Sequence, residues 1–214
     1  SQYVFVSLGL ERRGGAADYL GINRRIKGIR LSLPGAHQWS NAALALAAVE
    51  IVEKTGYPLT DEAVCTGLEN TRWEARMEVL CDRPLFLLDG AHNPSGIAAL
   101  CRSLRHDFPR RRLMLIFAAL ADKDCKRMLQ KIVPLADTTF LPALRSERAV
   151  APGALARIVE SLGGRAVVVR SPDEAADMAL SQVGEDDMIC AAGSLYLAGE
   201  IKQTFQQTHS CGKA

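Results

Sequence analysis

"LFLLDGAHNPSG", residues 85–96, decides the fold. The run from Leu85 to Leu88 reads as a buried strand. Asp89, Gly90, His92 and Asn93 then share one tight turn, and Pro94 stands where a helix begins. A strand passing through a short polar turn into a helix is the building unit of a parallel sheet.

That unit recurs downstream. The pattern predicts helices at about 94–106, 124–133, 152–162, 173–183 and 195–207, with strands at about 113–119, 137–142, 165–170 and 187–192. "LMLIFAAL", "AVVV" and "MICAA" are apolar throughout, as strands covered on both faces should be. "MEVLC" (77–81) meets the 85–89 strand across a short Pro turn, which predicts one antiparallel member. The expectation is an α/β fold: a mostly parallel sheet of about six strands, one of them antiparallel, with helices on both faces.

Upstream the pattern differs. "YVFVSL" (3–8) and "RIKGIRLSL" (25–33) have strand composition, with glycines between them. The alanine-rich run in "LPGAHQWSNAALALAAVEIVEKTG" (33–56) predicts a helix to Lys54, with Ser40 or Asn41 as its cap and Gly56 as its stop. "LTDEAVCTGLEN" (59–70) predicts a second helix, begun by Thr60 and an acidic first turn. Two strands and two helices are too little for a self-sufficient domain, whereas a complete α/β unit follows Trp73 to Arg76. The expected division is 1–72, 73–207 and a fraying tail at 208–214. The opening on a strand-like run with no lead-in reads as a piece cut from something longer.

Bulk composition narrows the function. The 214 residues are 48% hydrophobic and 23% charged, with a formal net charge of +2. That balance argues against nucleic acid or a membrane surface as partner. Aromatics are 6%, too few for base-stacking platforms. No apolar run reaches ~18 residues, so no membrane span is expected. None of the six cysteines forms a C-x-x-C, which favours reduced thiols and a cytoplasmic setting over a zinc site or a disulfide framework.

Ligands of an open parallel sheet gather at the carboxyl ends of its strands. Three turns fall there: Asp89 to Asn93, "AALADKD" (118–124) and "AAGSLY" (191–196). Each also has a bland reading. Asn93 or Asp89 could cap a helix opened by Pro94, Asp122 or Asp124 could cap the next, and "GSLY" could be a glycine turn with a serine cap. Capping does not require His92. A nicotinamide-type oxidoreductase would need G-x-G-x-x-G after a strand, and none is present; Gly163 and Gly164 precede a strand instead.

The order of five blocks carries more than any one of them. "LPGAHQWSNAALALAA", "RWEARMEVL", "LLDGAHNPSG", "LADKD" and "GSLYLAGE" together resemble the folylpolyglutamate synthase / dihydrofolate synthase family of the Mur ligase superfamily, from about Leu31 to Glu200. The resemblance implies an ATP-dependent amide ligase. ATP phosphorylates the carboxylate of a folate or dihydropteroate substrate, and the amine of L-glutamate attacks the acyl phosphate. It implies a Rossmann-like C-terminal domain preceded by the end of a central ATPase domain, with ATP and magnesium as cofactors.

Matched position by position, Gln38 and Asn41 in "HQWSN" face adenine and Arg76 reaches the γ-phosphate. Asp89 lies on the nucleotide side, while His92 and Ser194 lie near the incoming glutamate. Arg76 and His92 are the residues the resemblance places closest to the chemistry. Where the family usually reads Trp-Pro-Gly-Arg, this chain has "WEAR" (73–76), keeping the arginine without the Pro-Gly turn. No G-x-x-x-x-G-K-[ST] phosphate loop occurs, and the family's magnesium ligands and modified lysine have no counterpart. The chain alone is therefore expected to be inactive. The alternative is a non-catalytic nucleotide- or ligand-binding module on the same fold.

Overall fold

The computed structural model describes residues 4–11, 14–108 and 112–208. Two compact units make up the chain, Ser1–Glu74 and Ala75–Ala214.

In the first unit, strands β1 (Val4–Glu11), β2 (Gly14–Leu20) and β3 (Arg25–Leu31) form an antiparallel sheet in the order β1-β2-β3. Helices α1 (His37–Glu53) and α2 (Asp61–Asn70) follow. Tyr19, Ile26, Ile29, Trp39, Leu46 and Val64 share one core. Buried Glu50 is satisfied there by the Tyr19 hydroxyl at 2.9 Å and the Asn23 amide at 2.8 Å.

β2 was not foreseen. "GGAADYL" is poor in β-branched residues, and it is a strand because two neighbours pair with it. α1 also starts earlier than expected. Ala36 occupies its cap position without a side-chain hydrogen bond, so neither Ser40 nor Asn41 is the cap. Both lie inside the helix, where the Asn41 amide donates to Gln38 Oε1 instead. Thr60 does cap α2, accepting from the Ala63 amide at 3.1 Å.

The second unit is built on a six-stranded sheet. Its strands are β4 (Glu78–Asp82), β5 (Leu85–Leu88), β6 (Leu113–Phe117), β7 (Thr138–Pro142), β8 (Ala166–Val169) and β9 (Met188–Ala192), in the order β4-β5-β9-β6-β7-β8. β4 runs antiparallel to β5 and all other pairs are parallel. Around them lie α3 (Pro94–His106), α4 (Cys125–Ile132), a 3₁₀ turn (Val133–Leu135), α5 (Pro152–Ser161), α6 (Pro172–Leu180) and α7 (Leu195–Thr208). α7 takes in Thr208, the first residue of the stretch expected to fray; residues 209–214 lie outside the described part.

The inner strands β5, β9 and β6 are apolar on both sides because both sides are covered. The same expectation fails for "AVVV", because β8 is an edge strand and its Val168 is 54% exposed. Leu85, Leu87, Leu113, Leu115 and Cys190 pack with residues of α3, α4 and α5. Phe86, Leu88, Met114, Ile116 and Ile189 pack with residues of α6 and α7. Each such side chain taken from water stabilises by about 1.5–3 kcal/mol. Phe86 and Phe205 add an edge-to-face pair at 5.1 Å. Among the described residues no helix is long and apolar enough to cross a membrane.

Candidate functional site

All parallel strands end on one edge of the sheet, and three adjacent ones, β5, β9 and β6, carry the three polar turns there. These turns are joined. The Asp89 amide donates to the Ala191 carbonyl at 2.9 Å, and the Gly193 amide donates to the Ala91 carbonyl at 2.9 Å. Gly193 has φ +110, and a Cβ there would lie 2.5 Å from the Ala118 carbonyl oxygen. Only glycine lets the β9 turn sit between the other two. β4, being antiparallel, enters the sheet at this same edge. That brings the Arg76 turn beside the β5 turn, with the Gly90 amide donating to the Ala75 carbonyl at 2.6 Å.

The β5 turn is organised by Asp89, which is 5% exposed. Its Oδ1 accepts from the Ala91 amide at 2.8 Å and its Oδ2 from the Met77 amide at 2.9 Å. Burial pushes its carboxyl above the ordinary aspartate range; the two N–H donors and the nearby Arg76 charge oppose that shift. Asn93 caps α3 by accepting from the Gly96 amide at 2.8 Å, with Pro94 in the first turn. His92 is half-buried, and its Nδ1 lies 2.9 Å from the Gly90 carbonyl oxygen. A carbonyl only accepts, so Nδ1 carries the proton and Nε2 is left as the acceptor of the neutral ring.

At the β9 turn, Ser194 is 2% exposed and its Oγ accepts from the Tyr196 amide at 3.1 Å. Its own hydroxyl proton remains a donor. His92 and Ser194 thus directly follow the hydrogen-bonded pair Ala91 and Gly193. In the β6 turn, Asp124 caps α4 through the Arg127 amide at 3.1 Å, and Asp122 pairs with Lys123 at 2.9 Å and Arg148 at 3.5 Å.

Arg76 is exposed at the tip of its turn, between two buried residues with left-handed backbone, Ala75 (φ +51) and Met77 (φ +49). The glycine of the family pattern would sit at φ > 0 without strain, whereas alanine tolerates it at a cost of about 1–2 kcal/mol. Gln38 and Asn41 lie in the first unit. Gln38 is 4% exposed and Nε2 of its amide lies 3.0 Å from His37 Nε2.

Among the described residues no group of three or more His, Cys, Asp or Glu side chains could hold a metal ion. A cavity of about 220 Å³ lies beyond β7 and β8, lined in part by Arg145, Arg170 and Glu200. Both of its arginines already pair with acids, Arg170 with Glu174 at 3.0 Å and Arg145 with Glu200 at 3.9 Å.

The motifs had assigned Gly90 and Gly193 no part beyond their turns, yet the turns touch through them. Glu78 had no assigned part either, though it stands two residues from Arg76. Its Oε2 accepts from the Ala75 amide at 2.8 Å.

Residues 75–195 match the Mur ligase, glutamate ligase domain family. The chain is 35% identical over 182 residues to the folylpolyglutamate synthase of Lacticaseibacillus casei, covering 84% of this chain and 41% of that protein. It is 30% identical over 176 residues to the dihydrofolate synthase/folylpolyglutamate synthase of Bacillus subtilis, covering 82% and 40%. A solved structure of Mycobacterium tuberculosis folylpolyglutamate synthase complexed with ADP superposes with a TM-score of 0.88 at 28% identity, over 100% of this chain and 48% of that one. The chain thus spans about two-fifths of the length of these curated relatives. With its glutamate ligase domain matched and its sheet superposed, the chain belongs to the Mur ligase family and is a relative of the folylpolyglutamate and dihydrofolate synthases.

Proposed function

We propose that the chain is the C-terminal portion of an ATP-dependent ligase that joins L-glutamate to the carboxylate of a folate or dihydropteroate. The carrying observation is the meeting of the β5, β9 and β6 turns at Gly193, with the Arg76 turn bonded to the same edge. In the reaction a carboxylate oxygen attacks the γ-phosphorus and ADP leaves. The glutamate amine then attacks the acyl carbon, the amide bond forms, and phosphate leaves.

Arg76 neutralises charge on the transferring phosphoryl group, a role suited to an exposed guanidinium on a braced turn. Asp89 serves the nucleotide side by fixing that turn. Gln38 and Asn41 face adenine. His92, through Nε2, and Ser194, through its hydroxyl, take the incoming glutamate, and the N-terminus of α7 favours its carboxylate. Magnesium would assist phosphoryl transfer from ligands outside this sequence. With no phosphate loop of its own, the chain is inactive in isolation.

The test is Arg76→Ala in the complete ligase, supplied with ATP, a reduced folate and glutamate. ADP formation should slow by about 10³-fold or more. A normal rate would remove Arg76 from the mechanism.

A further inference from the structure

Arg76 projects from a backbone that does not hold itself. Left-handed backbone is unfavourable for residues other than glycine, and here Ala75 (φ +51) and Met77 (φ +49) adopt it on either side of the arginine. Three groups restrain them. Asp89 Oδ2 accepts from the Met77 amide at 2.9 Å, the Gly90 amide donates to the Ala75 carbonyl at 2.6 Å, and Glu78 Oε2 accepts from the Ala75 amide at 2.8 Å. Glu78 is in turn fixed from α7: its Oε1 lies 2.7 Å from Lys202 Nζ, and the two side chains are only 27% and 18% exposed. A carboxylate at this depth that accepts a backbone N–H and a lysine together is well oriented. α7 is also the helix that begins at Leu195, directly after Ser194, and sets Leu195 against Gly90.

We propose that Glu78, oriented by Lys202, is a positioning residue that aims Arg76, tying the phosphate-facing arginine to the helix whose first turn receives glutamate. The proposal rests on the reading of Arg76 as the γ-phosphate arginine. Without the clamp the turn relaxes towards ordinary backbone and the guanidinium moves off its line. A misplacement of about 1 Å is enough to slow a reaction on the order of 10²-fold.

The experiment is a double-mutant cycle in the complete ligase: Arg76→Ala, Glu78→Ala and the pair. Glu78→Ala should lower kcat by about 10- to 100-fold while the KM for glutamate stays within about twofold, and the pair should be no slower than Arg76→Ala alone. Losses that multiply, or a normal kcat for Glu78→Ala beside a slow Arg76→Ala, overturn the positioning role and leave the Arg76 reading intact. A normal rate for Arg76→Ala overturns that reading and this proposal with it. Should Glu78→Ala fail to fold, Lys202→Met enters the same cycle, since it loosens Glu78 without deleting the acceptor. It should show a smaller loss that is again absent on the Arg76→Ala background, and an additive loss overturns the proposal.

Discussion

The Gly193 amide donates to the Ala91 carbonyl at 2.9 Å, so the turns after β9 and β5 are one hydrogen-bonded structure. His92 and Ser194 take their places from that bond, each being the next residue along. Whatever disturbs the Gly193 backbone therefore disturbs both.

Gly193→Ala tests that dependence. The new methyl would meet the Ala118 carbonyl oxygen at 2.5 Å and the Phe117 ring at 2.6 Å, at a φ of +110 that alanine resists. A loss of about 3 kcal/mol is expected from strain and overpacking together. Urea unfolding of the chain measures it, and a change under about 1 kcal/mol would show that the rim yields easily.

Ala75→Gly should act in the opposite direction. Glycine removes the strain of φ +51 and gives back part of the gain through its freer unfolded chain. A net stabilisation of up to about 1 kcal/mol is expected in the same assay. A less stable variant would mean that the buried Ala75 methyl outweighs the backbone strain.

His92→Ala should weaken glutamate use in the complete ligase more than ATP use. About tenfold in the KM for glutamate corresponds to one hydrogen bond to a charged ligand. Steady-state kinetics with each substrate varied in turn separates the two, and an unchanged glutamate dependence counts against the role.

Acid stability has a named source. Asp187 is held below the ordinary aspartate range by hydrogen bonds from the Arg112 guanidinium, then from the Gly184 amide. Its folded pKa is depressed, so its contribution is present above the unfolded value of about 3.9 and is lost as pH falls through the folded one. Asp187→Asn should be less stable at pH 7 and should lose less on acidification than the parent. Parallel urea curves at pH 7 and pH 3 decide this; equal losses in both proteins would remove Asp187 as the cause.

The isolated chain, given ATP, a reduced folate and glutamate, should release no ADP above a protein-free blank. Turnover there would show that the missing phosphate loop is dispensable.

Local chemistry made much of this protein legible. The apolar runs at β6 and β9 read as strands covered on two faces, because alternation disappears when both sides are buried, whereas the equally apolar β8 lies at the sheet edge with Val168 exposed. Asn93 and Thr60 announced their helices through hydroxyl or amide groups three residues before the amides they cap. β2 stayed hidden, since "GGAADYL" owes its strand to neighbours on both sides. The site was legible as motifs and illegible as an object. Sequence placed Asp89, His92 and Ser194 on turns, but only the strand order β5-β9-β6 brings those turns together, and only the antiparallel entry of β4 brings Arg76 to them. Residue type and period are local properties that a chain carries unfolded, whereas strand order and the bonds joining separate turns exist only once distant segments have paired.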